Sequence, residues 1–150
     1  MSNINKNLNL KGEISLITGA TRGIGNSIVE VFARAGSIVI GTATTKEGAE
    51  RITANLSDAG LKGHGIVLDI SQSEQISNQI KELKKSDLMP SILINNAGIS
   101  LENLLMRIKD KDWEKMISTN LSSAFFLCKA VISPMLKKRH GRIINIGSIQ

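Results

Sequence analysis

Hydrophobic positions along the chain fall into two alternating kinds of segment. Short, nearly continuous apolar runs stand at Ile14 to Ile17, Ser37 to Gly41, Ile66 to Leu68, Ile92 to Ile94 and Arg142 to Ile146. Between them, apolar residues recur every three or four positions. The first kind predicts strands covered on both faces, and the second predicts amphipathic helices. The first helix opens at Gly23 and ends at Gly36, with Ile24, Ile28, Val31, Phe32 and Ala35 on its apolar side. Thr44-x-x-Glu47 is a capping box ahead of Ala49, Ile52, Leu56 and Ala59, and Gly60 to Gly65 reads as a turn. Ser71-x-x-Glu74 is a second box, ahead of Ile76, Ile80 and Leu83, and Pro90 closes that connection. A loop from Asn95 to Lys109 is longer than the other connections, and long loops in compact domains tend to be functional. Asp110 or Asp112 caps a long helix whose stripe is Trp113, Ile117, Leu121, Ala124, Cys128 and Ile132. It stops near His140, with Gly141 the natural residue past its end.

Strands that alternate with helices imply right-handed crossovers and a parallel sheet. The expected fold is α/β, a doubly wound Rossmann-type sheet of five strands in the order 3-2-1-4-5. Residues 1–150 read as one domain without repeats or a linker. Ligand crevices in such sheets lie at the carboxyl ends of the strands, where the strand order reverses.

Composition narrows the partners. Nineteen Lys and Arg against thirteen Asp and Glu give a net charge of +6, which suits an anionic partner. Tyrosine is absent, and only Trp113, Phe32, Phe125 and Phe126 are aromatic, too few to stack single-stranded bases, so nucleic acid is not expected. One cysteine, Cys128, permits no internal disulfide and fits a reducing cytoplasm. The opening from Met1 to Gly12 is polar, without the apolar core of a leader, and no apolar run of membrane-spanning length is expected. A cytoplasmic chain without membrane or metal site is the expectation.

The crevice rule selects the residues that carry chemistry. Thr18-Gly19-Ala20-Thr21-Arg22-Gly23-Ile24-Gly25 joins the first strand to the first helix, with glycines spaced G-x-x-x-G-x-G. Gly19 makes the tight turn, Gly23 the close approach of a phosphate, and Gly25 the packing of helix on strand, as in dinucleotide sites. The helix N-terminus beyond it favours an anion, although a glycine turn with no ligand gives the same pattern. The second strand ends in Gly41-Thr42-Ala43-Thr44, with no acid before Glu47. A carboxylate there would take the ribose 2′-hydroxyl of NAD. Its absence, with Arg22 in the turn and Lys46 nearby, favours the 2′-phosphate of NADP(H). Thr44 also suits a helix N-cap. Asp69 can meet an adenine edge or serve as a turn residue. Of Asn95-Asn96-Ala97-Gly98, Asn95 is expected to be structural and Ala97 and Gly98 to line the cofactor. Asn120 falls on the apolar stripe, where a buried amide belongs either to a core network or to a proton relay. Ser148, past the fifth strand, can meet a substrate carbonyl or be an ordinary turn residue. Lys137, Lys138 and Arg139 can be a solvated helix end or a docking patch for an acidic protein.

Together these residues resemble the short-chain dehydrogenase/reductase family from about Lys11 to Gln150. Finer stretches, Asn103-Leu104-Leu105-Met106-Arg107 and Lys137-Lys138-Arg139-His140-Gly141-Arg142 among them, are similar to its branch that reduces carrier-bound 3-oxoacyl chains in fatty acid biosynthesis. The resemblance implies that Gly19, Thr21, Arg22, Gly23, Ile24 and Gly25 hold the NADP phosphates and that Thr44 joins Arg22 at the 2′-phosphate. It puts Asp69 at the adenine and Asn96, Ala97 and Gly98 beside the ribose. Ser148 would hydrogen-bond the keto oxygen and Asn120 would hold a relay water. Arg139, with Lys137 and Lys138, would meet the acidic acyl carrier protein, in a homo-oligomer. The family's general acid is a tyrosine followed by a lysine one helical turn later. Residues 1–150 hold five of the usual seven strands and no tyrosine, so the expectation is a domain incomplete at its carboxyl-terminal end and inactive alone.

Overall fold

The computed structural model describes residues 8–148. Residues 1–7, on which the leader expectation partly rests, and Ile149 and Gln150 lie outside the described residues. In chain order the elements are β1 (Ile14–Ile17), α1 (Gly23–Arg34), β2 (Ile38–Ala43), α2 (Lys46–Asp58), β3 (Gly63–Val67), α3 (Ser73–Lys85), β4 (Ile92–Asn95), α4 (Asp110–Ile117), α5 (Ser123–Lys138) and β5 (Arg142–Asn145). The strands are all parallel, in the order β3-β2-β1-β4-β5, as the pattern of apolar runs predicts.

Alternation along each strand sends neighbouring side chains to opposite faces. Ile17, Val39 and Ile94 pack beneath Val29 and Ala33 of α1 and Ala49, Ile52 and Leu56 of α2. Leu16, Ile40 and Leu93 point the other way, onto Ile76 and Leu83 of α3 and Leu127, Val131 and Met135 of α5. A fully buried Leu or Ile contributes roughly 1.5–3 kcal/mol, so these two layers hold the carboxyl ends of β1 and β4 rigid.

Several local expectations are corrected. The buried edge of α1 is Gly25, Val29 and Ala33, and Ile24 is 64% exposed, because the glycine must face the sheet and turns Ile24 outward. α2 is capped by Thr45, whose hydroxyl accepts from Gly48 N at 3.1 Å, so Thr44 is not the N-cap. The supposed turn at residues 60–65 is strand in its second half. β3 begins at Gly63, and its glycines are needed because an added Cβ on Gly65 would lie 2.8 Å from Ala49 Cα beneath α2. Ser71 caps nothing; α3 starts at Ser73, and Ser71 N and Oγ instead donate to Asp69 Oδ1.

The long helix is broken by a π-helical turn, Ser118–Ser122, between α4 and α5. The wider turn rotates the helix beyond it, so α5 buries Ser123, Leu127, Val131 and Met135. Trp113, Leu121 and Ile132 of the expected stripe are exposed, and Cys128 is half-buried. α5 ends on Arg139 in the left-handed conformation, φ 49°, and not on Gly141. Within residues 110–138 an 18-residue window has a mean hydropathy of 1.3, enough by length and composition to cross a membrane. Lys129 divides the apolar residues of that window, and no uncharged run there is of membrane-spanning length. A helix packed on a sheet meets the same criterion, and here Leu127 and Val131 are fully buried on β4 and its neighbours.

Candidate functional site

Thr18, 1% exposed, is the hub of the site. Its Oγ1 accepts from Asn96 N and Ala97 N, both at 3.0 Å, and its backbone N–H donates to Ile94 O at 3.0 Å. Asn96 Nδ2 returns the tie, donating to Thr18 O at 3.0 Å and Gly19 O at 3.3 Å. On the other flank Thr42 Oγ1 accepts from Gly19 N at 3.3 Å. The turn after β1 is thus laced to β2 and β4.

Two glycines are demanded by this lacing. Gly19 has φ +65°, and an added Cβ would stand 2.9 Å from Ala97 Cα. A Cβ on Gly25 would fall on the Gly19 carbonyl oxygen and 2.6 Å from Asn96 Nδ2, so α1 can approach the strand only without one. Gly23 differs: its added Cβ meets nothing within 4 Å, so the space above it is open. Arg22, at the N-cap with no side-chain capping bond, is exposed there, and no acid stands in the first turn of α1. Backbone N–H groups at a helix start lack intrahelical acceptors and carry partial positive charge. An anionic group fits this cradle.

Thr44 is exposed just past β2, and no carboxylate occurs from Gly41 to Thr45. Lys46 is paired with Glu50 at 3.7 Å. Arg51, by contrast, reaches Thr21 O with Nη2 at 3.5 Å. Asp69 is half-buried past β3, with Oδ1 engaged by Ser71. Asn95 Nδ2 donates to Asn145 Oδ1 at 2.8 Å, tying β4 to β5, while its own Oδ1 is buried without a partner among the described residues. Asn120 sits in the π turn and is exposed, not buried in the stripe. Its Oδ1 accepts from Ile99 N at 2.9 Å and its Nδ2 donates to Ile99 O at 2.8 Å, beside Gly98. Ser148 is exposed beyond β5, whose pairing runs on through Ile146 N to Asn95 O at 2.9 Å. Turn, Ala97, Gly98, Asn120 and Ser148 therefore share the carboxyl end of the sheet.

Lys137, Lys138 and Arg139 do not. α5 runs back along the sheet, and its end meets the amino ends of the strands, where His140 Nε2 lies 2.9 Å from Glu13 Oε1. There the Ser91 hydroxyl, 2.5 Å away, holds the Glu13 carboxyl below its ordinary range, against a smaller opposing effect of burial and with help from His140 and Arg142. A groove of about 410 Å³ between α1 and α2 is lined by Val29, Ile52, Leu56 and the Glu30–Arg34 pair and takes in none of the site residues. Among the described residues no group of three or more His, Cys, Asp and Glu could hold a metal ion.

A family model for the short chain dehydrogenases matches residues 13–150. The chain belongs to the short chain dehydrogenase family. It is 49% identical over 140 residues to the 3-oxoacyl-[acyl-carrier-protein] reductase FabG of Haemophilus influenzae, covering 93% of this chain and 57% of that protein. The FabG of Escherichia coli is 48% identical over 142 residues, covering 95% and 57%. A putative gluconate dehydrogenase from Agrobacterium tumefaciens superposes with TM-score 0.90 at 28% identity, over 94% of this chain and 56% of that one. A metagenomic short-chain oxidoreductase in complex with NADP gives 0.89 at 29%, over 93% and 63%. The chain thus spans a little over half the length of the curated relatives it matches. In this short chain dehydrogenase, Thr18 and Thr42 lie in stretches that the crevice rule selects, but their lacing was not read from the sequence, and Arg51, which contacts the turn at Thr21 O, was not singled out. A threonine at the end of an apolar run was the available signal for the first two, and Arg51 had none.

Proposed function

We propose that residues 1–150 are the cofactor-holding part of an NADPH-dependent, cytoplasmic oxidoreductase that reduces 3-oxoacyl-[acyl-carrier-protein] to the 3-hydroxyacyl form in fatty acid biosynthesis. The observation that carries the reading is the cradle at residues 18–25, with Gly23 open, Arg22 unneutralised and no carboxylate at the end of β2. When bound, NADPH supplies the hydride. Gly19, Thr21, Arg22, Gly23, Ile24 and Gly25 hold phosphate through backbone N–H groups and one guanidinium, and Thr44 adds a hydroxyl beside the 2′-phosphate. Asp69 faces the adenine, and Ala97 and Gly98 leave room for the ribose. Asn96, whose amide is spent on the Thr18 and Gly19 carbonyls, positions the turn. Ser148 donates its hydroxyl to the keto oxygen. Asn120 has both amide ends engaged on Ile99 and acts as a positioning residue for the 98–99 segment. Lys137, Lys138 and Arg139 attract an acidic carrier protein to the other end of the sheet, as a dock and not as a wall of the active site. The curated relatives at 46–49% identity support the substrate class.

A second reading is a non-catalytic NADP-binding chain, favoured by one fact: the 150 residues contain no tyrosine to serve as general acid. A positioned acid is worth about 10²–10⁴ in rate, and Ser148 and Asn120 are poor substitutes. Another short-chain carbonyl reductase is the remaining variant of the first. The experiment mixes NADPH, a 3-oxoacyl carrier thioester and the 150-residue chain, with and without a separately expressed segment carrying Tyr-x-x-x-Lys. No turnover by the chain alone, and turnover with the segment that Ser148→Ala abolishes, is expected. Cofactor binding with no turnover in either case favours the second reading, and turnover by the chain alone overturns the catalytic assignment.

A further inference from the structure

We propose that Arg51 is the second cation of the 2′-phosphate site and that Lys46, the cation nearest in sequence, takes no part; this rests on reading the turn as a dinucleotide site. A ribose 2′-phosphate carries nearly two negative charges at neutral pH, and Arg22 balances one of them. The first turn of α2 lies directly against the phosphate turn: an added Cβ on Gly48 would stand 3.2 Å from Thr21 Cγ2. Residues three apart on a helix share a face, so Arg51 follows Gly48 toward that turn. Its guanidinium lies over the Thr21 carbonyl at 3.5 Å, one residue from Arg22. That contact is long and exposed, a weak hold that a phosphate displaces readily. Among the described residues, neither Arg22 nor Arg51 has a carboxylate within 4 Å, whereas Lys46 has Glu50 at 3.7 Å beside it. Two uncompensated guanidiniums therefore flank Thr21, on the side where Thr44 is exposed and β2 offers no acid. A fork of two N–H groups suits phosphate geometry, which a single-point ammonium does not match.

The test is calorimetric titration of the 150-residue chain with adenosine 2′,5′-bisphosphate and with 5′-AMP, which lacks only the 2′-phosphate. Wild type is expected to favour the bisphosphate. Arg51→Gln should weaken the bisphosphate about 10-fold while leaving 5′-AMP within about twofold, the scale of one charge-assisted hydrogen bond at an exposed site. Arg51→Lys should restore part of the loss, and Lys46→Ala should change neither ligand. An Arg51→Gln chain that keeps the full preference overturns the proposal and leaves Arg22 as the sole cation. Equal weakening of both ligands also overturns it, since Arg51 would then serve the turn and not the 2′-phosphate. If wild type binds 5′-AMP but gains nothing from the second phosphate, the inference fails and the dinucleotide reading survives. If wild type binds neither ligand, both fail together.

Discussion

Gly25→Ala is the substitution whose cost can be worked from the site itself. The added methyl would land on the Gly19 carbonyl oxygen, with Asn96 Nδ2 at 2.6 Å and Gly19 C at 2.8 Å. These neighbours cannot swing aside. Gly19 O and Asn96 Nδ2 are hydrogen-bonded to each other at 3.3 Å, and Asn96 Nδ2 also holds Thr18 O. Relief must come from α1 backing away from β1 or from the lacing at Thr18 breaking. Overpacking of this kind costs about 1–3 kcal/mol, and each net hydrogen bond lost adds about 1 kcal/mol. At ~2 kcal/mol, a domain of this size loses about 4–8 °C in Tm. Gly23→Ala is the control, because its methyl meets nothing and only its φ of +54° is strained. That strain costs about 1 kcal/mol. Thermal melts followed by circular dichroism should therefore rank wild type, Gly23→Ala and Gly25→Ala in descending Tm. NADPH titration should show both variants impaired, Gly23→Ala through its methyl in the phosphate space. A Gly25→Ala chain that melts with wild type would refute the claim that helix–strand closeness sets the cradle.

Other perturbations test further parts of the same geometry. Thr44→Asp places a carboxylate beside the 2′-phosphate, so titration should show NADPH weakened and the preference turned toward NADH. Glu13 has a folded-state pKa below its ordinary 4.5, so it adds stability above that value and loses it as pH falls through the lowered one. Melts of Glu13→Gln should thus show a deficit of about 1 kcal/mol at neutral pH that vanishes in acid. Arg139→Gly relieves the left-handed φ of 49° and should raise Tm by the equivalent of about 1 kcal/mol, while weakening any carrier docking. Leu121, Phe125 and Leu136, each over 60% exposed, form a bare face on α5 and the turn before it, and light scattering should show self-association that Phe125→Glu reduces.

Much of the fold was legible because the strands are apolar on both sides and the connections carry helical periodicity. The strand order followed from the Rossmann-type pattern with the phosphate turn after the first strand, since crossover rules alone also allow other doubly wound orders. Legibility failed where backbone geometry overrode side-chain pattern. β3 hid behind Gly63 and Gly65, which read as turn residues but mark where α2 presses on the sheet. The π turn at residues 118–122 shifted the face of α5, which no spacing rule anticipates, and so brought Asn120 out of the core. At the site, the glycine turn was plain because each glycine answers a separate steric demand. The lacing by Thr18 and Thr42 was not read, although both stood in the selected stretches, because a threonine ending a strand looks like any β-branched residue. Arg51 went unmarked because its contact with the Thr21 carbonyl depends on how α2 lies against the turn after β1.

The most direct test of the cofactor reading is a fluorescence titration of the 150-residue chain with NADPH and with NADH. Saturable binding with a clear preference for NADPH, reduced by Arg22→Ala, is the expected result. Equal affinity for the two nucleotides, or no binding to either by a chain that melts cooperatively, would contradict it.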